Sequence, residues 1–168
     1  MGRKLRSNFR PIPVLWLSFL KRFNVDYRFE IKDFYELTLD ELYDVMWLRN
    51  EVFVVGQKIT AEPEIDGLDR ECAHAMLYLE DRLIGTARVF TKKPPISVGR
   101  VAIHGDYQRG GHGTVLMERL QQALLEGKEA MLHAQAHLEA WYSRLGWVPE
   151  GEIFIEAEIE HRTMRWNG

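Results

Sequence analysis

Cysteine is almost absent from this chain of 168 residues: Cys72 stands alone. No intramolecular disulfide can form and no four-thiolate metal site can be built, which favours a reducing, cytoplasmic setting. An apolar run long enough to cross a bilayer is missing as well, so no integral membrane association is expected. The nearest approach lies in MGRKLRSNFRPIPVLWLSFLKRFNVD, residues 1–26, where a basic start precedes ten mostly apolar residues. That run ends in Lys21-Arg22 without the small-residue cleavage site of a secretory signal. Residues 1–26 are therefore expected to form a short packed helix or peripheral arm, ahead of one domain at 27–168. There is no repeat or low-complexity segment, and no excess of positive charge. Formal net charge is −3, and because residues 1–26 hold six Lys/Arg against one Asp, the remainder is near −8. That balance argues against a protein that tracks nucleic-acid phosphates and permits a cationic substrate.

What is present is an ordinary globular balance, 46% hydrophobic and 28% charged residues. YRFEIKDF alternates as a strand. TLDE, residues 38–41, has capping-box spacing, and Leu42, Val45, Met46, Val52 and Phe53 recur at helical intervals beyond it. Arg49 falls on that apolar face, so it either snorkels past the core or aims into a site. ITAEPEIDGLDRECAH reads as an acidic loop, either a solvated surface or a lure for an amine. AMLYLE and LIGTARVF form a hairpin, SVGRVAI another strand, and Leu116, Leu120, Ala123 and Leu124 mark a helix ending near Gly127. AMLHAQA is a strand, HLEAWYSRLG a short helix, and EIFIEAEI and HRTMRW are two closing strands. The order β-α-β-β-β-α-β-α-β-β predicts a mixed sheet flanked by helices.

The chemistry concentrates in GRVAIHGDYQRGGHGTVLMERL, residues 99–120, where glycines crowd a strand-to-helix junction. Unpaired amides at a helix start, cleared of side chains, form an anion cradle. No Lys-Ser/Thr follows the glycines, which excludes a P-loop. The second strand gives Ala134-Gln135-Ala136 and no acid, which excludes the dinucleotide fingerprint. A different diphosphate carrier remains. His133 and His137 lack the Glu of a zinc-protease helix, the other histidines show no ligand spacing, and no metal is expected. Cys72 beside His74 reads as a structural thiol.

VGRVAIHGDYQRGGHGTVLM resembles the acyl-CoA motif of the GNAT N-acetyltransferase superfamily. LRNEVFVVGQ, EIDGLDRECAH, GTARV and AQAHLEAWYSRLGW together resemble its ElaA-like branch, over residues 28–168. The resemblance implies an α/β fold with a mixed, mostly antiparallel central sheet flanked by helices. It also implies N-acyltransfer from acetyl-CoA, or another acyl-CoA, to a small-molecule or peptide amine by direct attack in a ternary complex. Val101, Ala102 and Ile103 match the strand that pairs with pantetheine. Arg109, Gly110, Gly111, His112, Gly113 and Thr114 match the pyrophosphate loop, and Tyr142 matches the tyrosine that protonates the departing thiolate; without the family, Tyr142, on an apolar helical stripe with Trp141, reads as core. The implied acceptor pocket comprises Arg49, Gln57, Glu64, Asp66, His74 and Gln135, with Glu51, Glu62, Glu64, Asp66 and Asp69 as candidate bases. Gly56 stands where that branch carries Glu, so a CoA-binding regulatory module without turnover is the alternative; a membrane or nucleic-acid adaptor rests on the basic arm alone. A homodimer is compatible with these features.

Overall fold

The computed structural model describes residues 26–168, and the expected arm lies, apart from Asp26, outside the described residues. Seven strands form one sheet: β1 (Tyr27–Asp33), β2 (Ala73–Leu79), β3 (Arg82–Phe90), β4 (Ile96–Ile103), β5 (Ala130–Gln135), β6 (Val148–Glu156) and β7 (Ile159–Trp166), in the spatial order β1-β2-β3-β4-β5-β7-β6. Every neighbouring pair is antiparallel except β4 and β5. Three α-helices flank the sheet: α1 (Leu39–Arg49), α2 (His112–Leu120) and α3 (Glu139–Arg144). None of the helices among the described residues is long and apolar enough to cross a membrane.

Strand alternation divides the core between the two faces. Met76 and Tyr78 of β2 pack with Val45, Leu48 and Val52 beneath α1. Ala75 and Leu77 join Leu132, Ala134, Leu116 and Leu120 beneath α2, together with Tyr142 and Trp147. The predicted cap on α1 is formed: the Glu41 amide donates to Thr38 Oγ1 at 3.2 Å and the Thr38 amide donates to Glu41 Oε2 at 2.9 Å. These bonds satisfy amides that a helix start leaves without partners.

Two local features depart from the sequence reading. First, the helix that the spacing carries through Val52 and Phe53 is α-helical only to Arg49 and widens into π-type turns over Asn50–Gly56, with the Gln57 amide donating to the Val52 carbonyl at 3.1 Å. Second, the closing hairpin turns at Ala157-Glu158, where φ is +48° and +66°, so Ile159 and Glu160 belong to β7 and β6 begins at Val148. A two-residue turn with both φ positive is ordinarily carried by Asn or Gly. Neither is present, so the sequence offers no mark there.

The site is positioned by an interruption in pairing. β4 and β5 pair only at Ile96/Ala130, Ser97/Met131 and Val98/Leu132. Beyond these, β4 follows β3 as far as Ile103, opposite Gly85, and β5 follows β7 as far as Gln135, opposite His161. The sheet opens between them as a wedge. Because α2 carries the core on one side of that wedge, Leu120, with no exposed surface, is a sensitive position: Leu120→Ala is expected to lower unfolding free energy by about 2–5 kcal/mol, read from urea denaturation.

Candidate active site

The wedge contains a cleft of about 290 Å³. β4 lines it with Val98, Gly99, Arg100 and Val101, and β5 with Met131, Leu132, His133 and Gln135; Tyr142 of α3 closes it. Past Val98, the β4 backbone edge facing β5 has no strand partner, so it is a sheet edge open to β-type pairing. Val101 faces the cleft. Ala102 points into the core under α1, and Ile103 packs beside the start of α2.

Tyr142 is buried between aromatic neighbours, 4.5 Å from Trp141 and 6.3 Å from Trp147 between ring centroids. Burial alone raises its pKa well above 10.0, with no hydrogen bond or charge acting on it. The phenol is therefore held protonated. A phenol so held can give up its proton only to a strong base beside it.

At the glycine junction each glycine answers a different demand. Gly111 has φ +84° and is the N-cap of α2, a left-handed conformation suited to glycine. A Cβ on Gly110 would lie 2.8 Å from His112 Nε2, and one on Gly113 would lie 3.3 Å from Trp141 Cζ2. Gly110 and Gly113 thus leave room for two rings, those of His112 and Trp141. The first helical bond runs from the Val115 amide to the Gly111 carbonyl at 3.2 Å. The amides of His112, Gly113 and Thr114 consequently precede the intrahelical ladder, and no side chain caps them. Arg109, with φ +63°, is exposed beside this helix start. His112 Nδ1 lies 2.8 Å from Tyr27 Oη, and burial lowers the imidazole pKa, so His112 contributes shape there and no full charge. Thr114 Oγ1 accepts from Trp141 Nε1 at 3.2 Å.

Glu64, Asp66 and Asp69 of the acidic loop are engaged by arginines, whereas Glu62 and Glu71 are exposed. Arg49, 1% exposed, donates from Nε to Glu64 Oε1 and from Nη1 to Asp69 Oδ1, each at 2.5 Å, and from Nη2 to the Glu64 carbonyl at 3.1 Å. Arg88 grips Asp66 with two bonds of 2.7 Å and reaches Asp69 at 3.3 Å. Arg100 lies 3.0 Å from Glu64 Oε2 and 3.4 Å from Asp66 Oδ2. Three guanidiniums from α1, β3 and β4 balance three carboxylates. The Arg88 hydrogen bonds hold the Asp66 carboxyl well below its ordinary 3.8.

Of the expected acceptor residues, Gln57, Glu64 and Gln135 line the cleft, with Gln135 Nε2 donating to Gln57 Oε1 at 2.8 Å. Arg49, Asp66 and His74 do not line it. His74 is fully buried, its Nε2 3.0 Å from the Asp69 carbonyl, and burial lowers its pKa. It is a packed, neutral group under the loop. Gly56 also stands outside the cleft, ending the widened turns where a Cβ would meet the Glu51 carbonyl at 3.0 Å. Among the candidate bases, Glu62 and Glu64 reach the cleft, whereas Glu51, Asp66 and Asp69 do not. Cys72 donates to the Leu68 carbonyl at 3.2 Å, and burial pushes its thiol up to about 11.

Sequence reasoning passed over His133, Glu156 and His161, all of which line the cleft. For His133 a signal exists: period-2 alternation along β5 places it on the face of Gln135, opposite Leu132 and Ala134. Among the described residues no cluster of three or more His, Cys, Asp or Glu side chains is arranged to hold a metal ion.

The charge network makes Arg49 structural. Arg49→Met should lower stability by about 3–5 kcal/mol, because it breaks two buried ion pairs and leaves three carboxylates against two guanidiniums; urea denaturation gives the value.

Comparison with known proteins agrees with this geometry. Residues 51–167 match the family model described as an acetyltransferase (GNAT) domain. The protein ElaA of Escherichia coli is 31% identical over 134 residues, covering 75% of this chain and 87% of ElaA. Its crystal structure superposes with TM-score 0.76 at 28% identity, covering 83% of this chain and 99% of that one. A crystal structure of an acyl-CoA N-acyltransferase from Pseudomonas aeruginosa gives TM-score 0.76 at 36% identity, again covering 83% of this chain and 99% of the other. The uncharacterized N-acetyltransferase YjcF of Bacillus subtilis is 30% identical over 128 residues, or 74% of this chain and 91% of YjcF. With a split sheet, a helix start that no side chain caps and a family match over residues 51–167, the chain belongs to the GNAT acetyltransferase family, in its ElaA-like branch.

Proposed function

We propose that the protein transfers an acyl group, acetyl in the first instance, from acyl-CoA to a primary amine by direct attack in a ternary complex. The observation that carries this reading is the β4–β5 split with the protonated Tyr142 at its wall. The residues present fit a CoA thioester. The free edge of β4 over residues 99–103 offers backbone groups to the amides of pantetheine, and the amides of His112, Gly113 and Thr114, with Arg109, offer donors and positive potential to the diphosphate.

The thioester supplies an activated carbonyl and a thiol leaving group. An aliphatic amine has a reference pKa of about 10.4 and must lose a proton before it attacks. The departing sulfur must gain one. Tyr142 donates it; since burial makes this phenol a weak acid, donation accompanies C–S cleavage and does not precede it. Cys72 is buried and bonded to the Leu68 carbonyl, which supports direct attack over an acyl-cysteine route. Gln57, Glu64 and Gln135 face the amine from the α1 side of the sheet.

Titration calorimetry with acetyl-CoA, followed by thiol release across a panel of amines, tests this function. Binding with acceptor-dependent release is expected; binding without release from any amine would identify a CoA-binding module, and no binding would sink the proposal. Tyr142→Phe is expected to lower kcat by about 100-fold, within the usual range for a general acid, with acetyl-CoA affinity near wild type; an unchanged kcat would leave Tyr142 as core. Arg109→Glu, at an exposed position, should weaken acetyl-CoA roughly tenfold by calorimetry, with the difference shrinking as salt is raised.

A further inference from the structure

Resting on the acyl-transfer reading, we propose that His133 is the general base that deprotonates the amine, and that Glu156 is the positioning residue that fixes its tautomer. His133 is the first residue of β5 beyond Val98/Leu132, the last pair joining β4 to β5. It stands where the sheet begins to open. Its neighbours Leu132 and Ala134 point into the core shared with Tyr142, so alternation along β5 sends His133 to the opposite face. Gln135, two residues on, confirms the direction by donating to Gln57. Proton donor and proton acceptor thus line one opening from opposite faces of the sheet, one toward the leaving sulfur and the other toward the entering nitrogen.

The ring's surroundings suit the task. His133 Nδ1 lies 3.0 Å from Glu156 Oε2. An ionised carboxylate only accepts, so the neutral imidazole carries its proton on Nδ1 and keeps the Nε2 lone pair. Phe154 packs edge to face with the ring at 4.9 Å, which limits its rotation. The His133 side chain is 38% exposed, open enough to pass its proton to solvent after each turnover.

The other ionisable groups at the cleft are less well placed. Both oxygens of Glu64 are engaged by Arg49 and Arg100. Arg88 and Arg100 stay protonated. His161 sits level with Gln135, farther from the point of opening, and Glu62 rides on the exposed loop.

Nε2 takes one proton from the substrate ammonium. The freed lone pair forms the C–N bond as the C–S bond breaks, and the C–S electron pair stays on sulfur, which takes the Tyr142 hydroxyl proton. The surplus N–H proton of the new amide returns to the phenolate through solvent, and the imidazolium releases its proton to water. One proton leaves per turnover, as conversion of an ammonium and a thioester into an amide and a thiol requires.

Thiol release with the best amine of the panel decides the matter. His133→Ala should lower kcat/KM by about 100-fold or more, leave acetyl-CoA affinity by calorimetry unchanged, and recover part of the rate when imidazole is added to the assay. Glu156→Ala should lower kcat, and Glu156→Gln, which keeps an oxygen able to accept from Nδ1–H, should restore much of it. An unchanged rate in His133→Ala, a larger loss in Glu62→Gln, or a loss that imidazole leaves untouched would overturn the role of His133 while leaving acyl transfer standing. Absence of wild-type release with every amine would overturn acyl transfer itself, and this role with it.

Discussion

The opening in the sheet depends on three residue pairs. β4 and β5, joined through α2, are the one parallel junction among the described residues, and they hold together only from Ile96/Ala130 to Val98/Leu132. Parallel pairing gains slightly less per residue than antiparallel pairing, and each strand has an antiparallel neighbour, β3 or β7, that keeps it extended after the two part. The result is a sheet with an internal edge. Backbone groups on such an edge remain available, and here they face a cleft that also receives Tyr142.

A second constraint fixes the other wall. The segment at residues 57–69 crosses the sheet face with little regular structure, yet Arg49, Arg88 and Arg100 fasten it from three separate elements. Buried guanidiniums require well-placed carboxylates, and removing either partner leaves a costly charge behind. The loop therefore inherits its position from α1, β3 and β4. This sets Glu64 and Gln57 against the cleft and balances three guanidiniums against three carboxylates.

Much of this was legible in the sequence. The Thr38–Glu41 box, the β2–β3 hairpin and the strand–glycine–helix order name their elements through short-range rules of capping, alternation and turn chemistry. The closing turn was not, because Ala157 and Glu158 adopt positive φ without the residues that usually signal it. The widened turns after Arg49 carry no local mark either. The acidic loop misled for a different reason: its partners lie from 15 to 34 residues away in the chain, and ion pairing at that range is a property of the fold. Arg49 on an apolar stripe announced a buried charge without announcing its partners. His133 was visible as one side of an alternating strand, but its relation to Glu156, 23 residues later, waits on the closing hairpin.

That hairpin has a bearing on how the protein comes to be made. β7 inserts between β5 and β6, so β5 has no outer partner until residues 159–166 have been synthesised. A nascent chain that has delivered β1 through β4 can complete the antiparallel half of its sheet, but the far wall of the opening does not yet exist.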